Sequence, residues 1–305
     1  MSVATARRPT RTGWLTLTRR RYLLAFLFVA PALLNFAIFR YLPILSAFQV
    51  SLYDYSLLGS YRDFLGAGNY VRALQDGLFL GSVRVALTFA ILRVPIQVGL
   101  SILLAVFVSR EVRLMGLMRT IIFIPVVTSL VVAAMLWSMM YNRDLGLIQS
   151  LLDAVGLPRT GFLSSPTLAL PALTVMLIWK EIGFSTIIFV AGLKGIPVMF
   201  YDAAAIDGAS RVQQFFHITL PLLKPITLFV VVTQTIGSLQ VFIPIFVMTK
   251  GGPAFSTNAV VYYIYQNAFQ LNEMGYASAM AFLVLCLLVG VSYANFRLLR
   301  SDTEY

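Results

Sequence analysis

Six long apolar runs constrain this chain more than any other feature of its sequence. Each has roughly the 20 residues that a helix needs to cross a bilayer core of about 30 Å. Because backbone N–H and C=O groups find no water inside lipid, such runs fold as helices rather than strands. The sequence therefore predicts an all-α integral membrane protein with six transmembrane helices. They lie at Tyr22–Tyr41, Ser82–Val108, Met118–Tyr141, Leu168–Leu193, Pro225–Met248 and Tyr276–Phe296.

The composition excludes an ordinary soluble enzyme. Hydrophobic residues make up 59% of the 305 residues and charged residues 11%, against about 45–50% and 25% in soluble domains. The net charge of +11 would indicate nucleic acid in a soluble protein, but in a membrane protein basic residues mark the cytoplasmic loops. We therefore predict lipid and no nucleic acid as a partner. The chain has one cysteine and one histidine, which excludes an intrachain disulfide and a His-rich metal site.

The basic residues also predict the orientation of the helices. With the N-terminus inside, fourteen Lys and Arg residues fall on the cytoplasmic side and seven on the outer side. This bias places both termini in the cytoplasm. The first run is too long for a signal-peptide core and no small-residue cleavage pattern follows it, so we interpret it as an uncleaved helix. Prolines inside the runs predict local kinks at Pro31, Pro95, Pro125 and Pro244.

One predicted cytoplasmic loop, Lys194–Lys224, is longer than a bare connection between two helices requires. Pro197 can occupy the first position of a short helix, which Val198–Ile206 would continue. Gly208 then ends that helix, since glycine adopts the conformations that a sharp turn needs. The first half of the loop is thus predicted to be a short helix followed by a glycine turn.

The second half of the loop predicts another short helix. Ser210 and Gln213 have the spacing of a capping box, and Leu220-Pro221 is expected to end the helix. The loop would then form two helices joined at a glycine and held at the membrane surface. Two interpretations remain open from the residues alone: an interfacial hairpin without a partner, or a docking element for a soluble protein.

The same loop resembles the EAA signature of permease subunits of binding-protein-dependent ABC importers. That signature reads Glu-Ala-Ala, three residues, Gly, nine residues, Ile, one residue, Leu-Pro, and every spacing is kept here. The single departure is Asp202 in place of Glu, which shortens the carboxylate by one methylene. The resemblance covers about residues 80–297. The matching residues are Asp202, Ala203, Ala204, Asp207, Gly208, Ala209, Ile218, Leu220 and Pro221.

A second stretch resembles the carbohydrate-uptake branch of this family, and is similar to the first permease subunit of maltose, lactose or glycerol-3-phosphate importers. The residues that carry this likeness lie in or beside the last outer loop and in the fourth run. They are residues 249–253, 256–257, 263–265, 268–269 and 275–277, together with Trp179, 191–193 and 196–197. The resemblance therefore implies that a sugar or sugar derivative is the cargo.

The resemblance also implies the partners and the division of labour. The fold expected is that of a type-1 ABC importer transmembrane domain with cytoplasmic coupling helices, in the plasma (inner) membrane of a prokaryote. It would pair with a second homologous permease above an ATPase dimer and receive sugar from an extracytoplasmic binding protein. This chain would hydrolyse nothing and bind no cofactor, because ATP and Mg²⁺ would sit on the ATPase. The sequence has no Gly-x-x-x-x-Gly-Lys-Ser/Thr loop of its own.

The expected organisation has four parts and one coupling loop. The parts are a basic tail at 1–21, a first transmembrane helix with its outer loop at 22–80, the importer domain at 80–297 with the coupling loop at 194–224, and a tail at 298–305. The residues expected to couple to the ATPase are Asp202, Ala203, Ala204, Asp207, Gly208, Ala209, Phe215, Leu220 and Pro221.

Polar and aromatic residues in the fourth and fifth runs are candidates for the sugar path. A charge at mid-span costs about 2.5–3.5 kcal/mol on insertion scales, so it faces a cavity or a partner. The alternative is that these groups only bond neighbouring helices together. We expect Arg93 in the second run to snorkel towards the interface. The candidates are Trp179, Lys180, Glu181, Phe184, Gln234, Ser238 and Gln240.

A different class of function also remains: a secondary transporter or channel driven by an ion gradient. Secondary transporters commonly contain internal repeats, and the two halves of this sequence show no convincing repeat. The long loop with its glycine turn favours the ATP-driven importer.

Overall fold

The computed structural model describes residues 13–56, 59, 63–109 and 113–299. Most of the predicted tails at 1–21 and 298–305 therefore lies outside the described residues. Within those residues the chain is helical apart from its connecting loops, and its only β contact is an isolated bridge between Tyr53 and Phe64. The all-α prediction is confirmed.

The described residues form fourteen α-helices. They are α1 Gly13–Phe36, α2 Leu42–Ser51, α3 Gly68–Gln75, α4 Gly77–Val108, α5 Arg113–Val127, α6 Leu130–Met140, α7 Leu147–Ala154, α8 Ala169–Gly195, α9 Val198–Ile206, α10 Arg211–Gln214, α11 Leu220–Leu222, α12 Lys224–Leu239, α13 Val260–Tyr265 and α14 Met274–Leu299. Four π-helical segments adjoin them, at Ala37–Tyr41, Phe215–Thr219, Ile245–Thr249 and Gln266–Gln270.

Four helical stretches in the described part of the chain are long and apolar enough to cross a membrane. They are Arg21–Ser51, Gly77–Val108, Ala169–Gly195 and Met274–Leu298. Two bent pairs bring the number to six if each pair counts as one span. These are Met115–Val127 with Leu130–Met140, and Arg211–Leu222 with Lys224–Leu239. By length and composition, the described helices therefore agree with six predicted spans.

The predicted end of the first span, at Tyr41, is wrong. The π-helical segment Ala37–Tyr41 leads directly into α2, so helix continues to Ser51. Pro43 does not interrupt it, because it lies in the first turn of α2, where a missing N–H is tolerated. The residues beyond Tyr41 remain mostly apolar, so the hydropathy pattern is itself consistent with the longer helix.

The predicted third span is not one continuous helix. It bends by 97° between α5 and α6, because Ser129 is extended with ψ 134°. Thr128 and Pro125 close the end of α5, where the Thr128 hydroxyl donates to the Pro125 carbonyl at 2.7 Å. The proline at 125 was expected to kink a helix. The break falls three residues later, where the orphan carbonyls find a side-chain donor.

The predicted fifth span, Pro225–Met248, is also wrong as a single helix. Helix α12 ends at Leu239, and a short irregular segment precedes the π-helical Ile245–Thr249. Pro244 accounts for this break, because in a continuous helix its ring would clash with the carbonyl of Gln240, four residues earlier, and would donate no hydrogen bond to it. Pro31 and Pro95, by contrast, lie inside the continuous helices α1 and α4.

Three helices form the centre of the molecule. Helix α4 packs against α8 and α12, α5 packs on the outside of α8, and α14 packs against α2, α3 and α12. One apolar cluster, which includes Leu173 and Met280, fills the half of the bundle that contains the α3–α4 junction. A second cluster, which includes Phe189 and Leu223, fills the half near the loop between α8 and α12.

The first helical stretch contributes nothing to this core along most of its length. The apolar window of Arg21–Ser51 is 0% buried within the chain, and only α2 packs on α14, with Phe48 edge-on to Phe282 at 5.4 Å between ring centroids. An apolar helix that its own chain leaves uncovered faces lipid or another chain.

Candidate functional site

The loop between α8 and α12 forms a hairpin of two short helical arms, residues 198–222, which we call the coupling hairpin. Its first arm is α9. Pro197 has φ −60° and ψ 131°, so it precedes the helix instead of occupying its first turn as predicted. The turn after α9 is the one that the sequence indicated, since Gly208 has φ +80°.

The hydrogen bonds around Gly208 explain the fixed spacing from the three alanines. The N–H of Gly208 donates to the Ala205 carbonyl at 3.1 Å, and the N–H of Ala209 donates to the Ala204 carbonyl at 2.8 Å. This is the Schellman pairing, which requires a left-handed residue one position after the helix cap. The alanines at 203–205 carry only methyl side chains, so the second arm can lie close to the end of α9. Gly208 turns the chain sharply into that second arm.

The second arm begins with the predicted capping box. The Ser210 hydroxyl accepts from the Gln213 N–H at 3.3 Å, and the Gln213 side chain accepts from the Ser210 N–H at 2.7 Å. The arm does not end at Leu220-Pro221, as the sequence suggested. It runs through the π-helical segment into α11, because Pro221 lies in the first turn of α11. The chain then bends by 65° into α12.

The predicted coupling residues divide between two faces of the hairpin. Phe215 and Leu220 pack on the apolar cluster around Leu223, and the hydroxyls of Tyr201 and Thr219 bond at 2.9 Å to hold the two arms together. The residues that remain exposed are Asp202, Ala203, Asp207 and Gly208, while Ala204, Ala209 and Pro221 are half-buried. The hairpin is therefore attached to the bundle by one face and open on the other.

The open face of the hairpin is largely apolar. Its exposed apolar side chains are Val198, Met199, Phe200, Ile206, Val212 and Phe216. Two carboxylates, Asp202 and Asp207, lie among them. Exposed apolar side chains with few charges among them are typical of a surface that another molecule covers. The interpretation as a docking element is therefore favoured over a hairpin without a partner.

The second feature is an ion pair at the centre of the bundle, with a buried arginine and a partly exposed glutamate, which the sequence did not predict. Arg93 of α4 is 1% exposed and donates through Nη2 to Glu181 of α8 at 2.6 Å. The same guanidinium donates to the Gln234 side chain at 2.8 Å and to the Ser238 hydroxyl at 3.2 Å, both on α12. The expectation that Arg93 snorkels is wrong, because three helices supply acceptors for it inside the bundle.

The polar face of α4 continues this network. Gln97 accepts from Arg93 Nε at 3.1 Å, and its amide donates to the Ser185 hydroxyl at 3.2 Å. Arg93, Gln97 and Ser101 are each four residues apart, so they share one helix face. That spacing was the available sequence signal, and it identifies a polar stripe in an otherwise apolar span.

The predicted sugar-path residues are not all together. Glu181 and Gln240 line one cavity of about 250 Å³ beside Arg93, Gly237 and Phe242, while Gln234 and Ser238 are buried behind it as acceptors for Arg93. Lys180 is directed elsewhere, since its ammonium donates to the Val126 carbonyl at the end of α5 at 2.9 Å.

The two aromatic candidates on α8 also lie outside this cavity lining. The ring of Trp179 lies 5.6 Å from the ring of Trp137 on α6. Phe184 is exposed on the surface of the chain. Four of the seven predicted path residues thus lie at Arg93 or the cavity, and their role as a sugar path stays a prediction.

At the opposite end of the bundle, Asp76 connects the start of α4 to the last two helices. It caps α4 by accepting from the Leu78 N–H at 2.8 Å, and it accepts from the hydroxyls of Tyr263 and Tyr276 at 2.7 Å each. Burial alone would raise the pKa of Asp76, but these hydrogen bonds outweigh it and lower the pKa. Burial and the bond to Asp76 raise the pKa of Tyr263 to about 12.

A polar cavity of about 700 Å³ lies beside this cap. Its lining includes Asp54, Asn69, Arg72 and Glu273. Arg72 pairs with Glu273 at 2.7 Å and lies over the Tyr276 ring at 4.0 Å. Within the described residues, no group of three or more His, Cys, Asp or Glu side chains could hold a metal ion.

These features define a class of protein: a bundle of membrane-spanning helices with an attached hairpin that is open to a partner, and a charged polar network at its centre. Comparison with known families narrows the class. The chain belongs to the family described as binding-protein-dependent transport system inner membrane component, whose model matches residues 97–298. It is thus a component of a transport system and a multi-pass membrane protein of the inner membrane.

Individual relatives agree with this family. The chain is 34% identical over 276 residues to the lactose transport system permease protein LacF of Rhizobium radiobacter, covering 88% of this chain and 92% of LacF. It is 31% identical to the sn-glycerol-3-phosphate transport system permease protein UgpA of Agrobacterium fabrum, covering 93% and 97%. Among solved structures, a chain of a bacterial alginate ABC transporter in complex with a pentasaccharide-bound periplasmic protein matches with a TM-score of 0.81 and 25% identity, covering 94% and 97%.

Proposed function

We propose that this chain is the permease subunit of an ATP-driven importer that moves a sugar or sugar derivative into the cell. The observation that carries the proposal is the coupling hairpin, whose glycine turn and open apolar face suit a soluble partner. The names of the relatives LacF and UgpA support transport of small hydroxylated molecules. The partners are a second homologous permease, an ATPase dimer and an extracytoplasmic sugar-binding protein.

The coupling hairpin receives the ATPase. Asp202, Ala203, Asp207 and Gly208 form its exposed side, and Phe215, Leu220 and Pro221 transmit its position to the bundle. The hairpin is continuous with α8 on one side and α12 on the other, so movement of the hairpin moves both helices. Those two helices supply Glu181, Gln234 and Ser238 to the central network, which links the two sites physically.

The sugar path passes the cavity beside Arg93 and Glu181. Gln240 lines the cavity, and Gln234 and Ser238 hold its charged wall in place. Trp179, Lys180 and Phe184 lie on α8, as Glu181 does, but their side chains do not line this cavity. The binding protein delivers cargo at the opposite end from the hairpin, where the polar cavity near Asp76 opens.

In this proposal, ATP hydrolysis belongs to the partner chains and passage across the membrane to this subunit. ATP and Mg²⁺ bind the ATPase chains, and this subunit binds no cofactor and catalyses no reaction. Both termini lie in the cytoplasm. The importer domain comprises residues 80–297, preceded by the first helix and outer loop at 22–80 and flanked by the tails at 1–21 and 298–305.

Gentle purification of the tagged chain from its native membrane tests this function. We expect an ATPase and a second permease of similar size to co-purify, identified by mass spectrometry, and uptake into vesicles to require ATP. The alternative, a gradient-driven carrier, predicts that the chain is recovered alone and supports uptake in ATP-free vesicles. That second result would overturn the proposal.

A further inference from the structure

The charge that the central cavity presents to its contents is set by the way the ion pair is built. All three nitrogens of the Arg93 guanidinium donate to protein groups, at Gln97, Ser238, Gln234 and Glu181. Arg93 borders the cavity, but with 1% of its side chain exposed it offers almost no surface to a ligand. It is a structural cation that is already neutralised.

Glu181 has the opposite geometry. Its Oε2 accepts from Arg93, but 37% of its side chain is exposed, and Oε1 has no hydrogen-bond partner among the described residues. An ionised carboxylate only accepts hydrogen bonds, and it has about four lone-pair sites. The accessible end of the ion pair is therefore a hydrogen-bond acceptor with negative charge.

Arg93 is the counter-ion of this carboxylate, and no further charged residue in the described part of the chain lines the cavity. Apart from Arg93 and Glu181, the lining is made of glycine, glutamine, proline and apolar residues. Lys180, the neighbouring cation on α8, is 7% exposed and is bonded to the Val126 carbonyl away from the cavity. The positive charges in this region are thus held by protein groups and are not directed into the cavity.

We infer that the part of the path formed by this chain selects hydroxyl-rich cargo without negative charge, that is, neutral or amino sugars, against sugar phosphates and uronates. Sugar hydroxyls and ammonium groups donate hydrogen bonds to Glu181, whereas a phosphate or carboxylate is repelled in a cavity of low dielectric. This inference rests on the proposed function, because it assumes that cargo passes this cavity. It separates this chain from relatives such as UgpA, whose name states a phosphorylated cargo.

Thiol reactivity measures the charge of the cavity without knowledge of the cargo. Gly237 lines the cavity, and a Cβ added there meets nothing within 4 Å, so Gly237→Cys places a thiol in the cavity without a steric conflict. The background carries Cys286→Ala, which removes the single native cysteine. The assembled transporter, with its partner chains, is treated with cationic and anionic methanethiosulfonate reagents of similar size, and each rate is divided by the rate with free cysteine.

We expect the normalised rate of the cationic reagent to exceed that of the anionic reagent by about threefold or more at low salt, because the ion pair turns its negative end towards the cavity. Glu181→Gln in the same background keeps the shape of the side chain but leaves Arg93 without its counter-ion, so the anionic reagent should now react faster than the cationic one. Gln240→Cys, on the same cavity wall, repeats the measurement if the Gly237→Cys transporter does not assemble. Labelling of the denatured protein confirms that each thiol is present.

The possible results separate the inference from the function that it deepens. With Glu181 present, equal rates or a faster anionic reagent would overturn the selection against anions while leaving the cavity as the path. If neither reagent reacts at either position with ATP or without it, the cavity has no aqueous access. That outcome removes the proposed path and the inference with it.

Discussion

At the scale of single residues, two positions carry most of the structural argument, and the sequence indicated only one of them. The sequence predicted the turn at Gly208, because the spacing of this glycine from Asp202-Ala203-Ala204 matches the EAA signature. For Arg93 the sequence analysis predicted a position at the membrane interface. The residues around it in α4 give no sign that Glu181, 88 residues later, is its counter-ion. Local patterns report backbone conformation well, but pairing between helices depends on packing.

Substitution of Gly208 tests the turn of the coupling hairpin. Valine at φ +80° should cost roughly 1–3 kcal/mol, because β-branched residues are strained in the left-handed region. We expect Gly208→Val to lose most of the ATPase that co-purifies with the chain. An added Cβ at Gly208 meets nothing within 4 Å, so the effect is conformational rather than a steric overlap.

Gly208→Asn is the matched control for this experiment. Asparagine tolerates the left-handed region better than other non-glycine residues, so it should retain most of the bound ATPase. Equal loss in both variants would mean that a side chain at this position blocks the partner directly. Equal retention would mean that the turn does not position the docking face.

At the scale of helices, the sequence predicted where the apolar runs lie and predicted kinks at Pro125 and Pro244, but it did not predict that helices would end near these prolines. The third and fifth runs read as continuous, yet Ser129 is extended between α5 and α6, and α12 stops at Leu239. Mean hydropathy cannot register a break, because the broken segments are as apolar as intact ones. The breaks are stable because other elements satisfy the freed backbone, as Lys180 does for the Val126 carbonyl.

The contact between α5 and α8 depends on Gly183. A Cβ at this position would overlap the backbone carbonyl of Ile122 on α5, and a backbone group cannot move aside as a flexible side chain does. We expect Gly183→Ala to destabilise the transporter by about 1–3 kcal/mol, measured as a lower midpoint of thermal unfolding. Lys180 should then lose its bond to Val126, because the two helices separate.

Gly99→Ala provides the comparison for Gly183→Ala. Gly99 lies inside α4, and an added Cβ there meets nothing within 4 Å. Alanine has the higher helix propensity, by about 1 kcal/mol, so this variant should be neutral or slightly stabilised. A similar loss in both variants would contradict the close approach of α5 and α8.

The cap at Asp76 makes the opposite end of the bundle sensitive to acid. Its pKa is lowered, so the stability that it contributes is present above the ordinary carboxyl pKa of about 4. This stability is lost as the pH falls through the lower pKa of the folded protein. Asp76→Asn should destabilise the protein by about 1–2 kcal/mol at pH 7, through weaker bonds to Tyr263 and Tyr276.

The pH dependence separates the charge of Asp76 from its shape. Between pH 5 and pH 3 the thermal midpoint of the wild type should fall more steeply than that of Asp76→Asn, because the amide does not titrate. Asp63→Asn, at an exposed aspartate in the described loop before α3, should leave the profile unchanged. Parallel profiles for the wild type and Asp76→Asn would contradict the role of the ionised cap.

At the scale of the whole molecule, charge is distributed unequally between the two ends of the bundle. The end that holds the coupling hairpin also holds Lys194, Arg211 and Lys224, against two carboxylates in the hairpin. The other end holds most of the acidic side chains in the described loops: Asp54, Asp63, Asp76, Asp144, Asp153 and Glu273. The sequence predicted this asymmetry from a count of basic residues, and the helix order of the structure places the groups at opposite ends.

The orientation that follows can be tested with two matched cysteines in the Cys286→Ala background. Ile206 in the coupling hairpin is 87% exposed, and Leu145 in the loop between α6 and α7 is 91% exposed. Because basic residues are retained on the cytoplasmic side, a membrane-impermeant thiol reagent should label Leu145→Cys on intact cells and Ile206→Cys only after permeabilisation. Bound ATPase should then slow labelling of Ile206→Cys in permeabilised cells but not that of Leu145→Cys. Labelling of Ile206→Cys on intact cells would show that the topology is the opposite of the proposed one. The hairpin would then lie outside the cell, where no cytoplasmic ATPase could bind it.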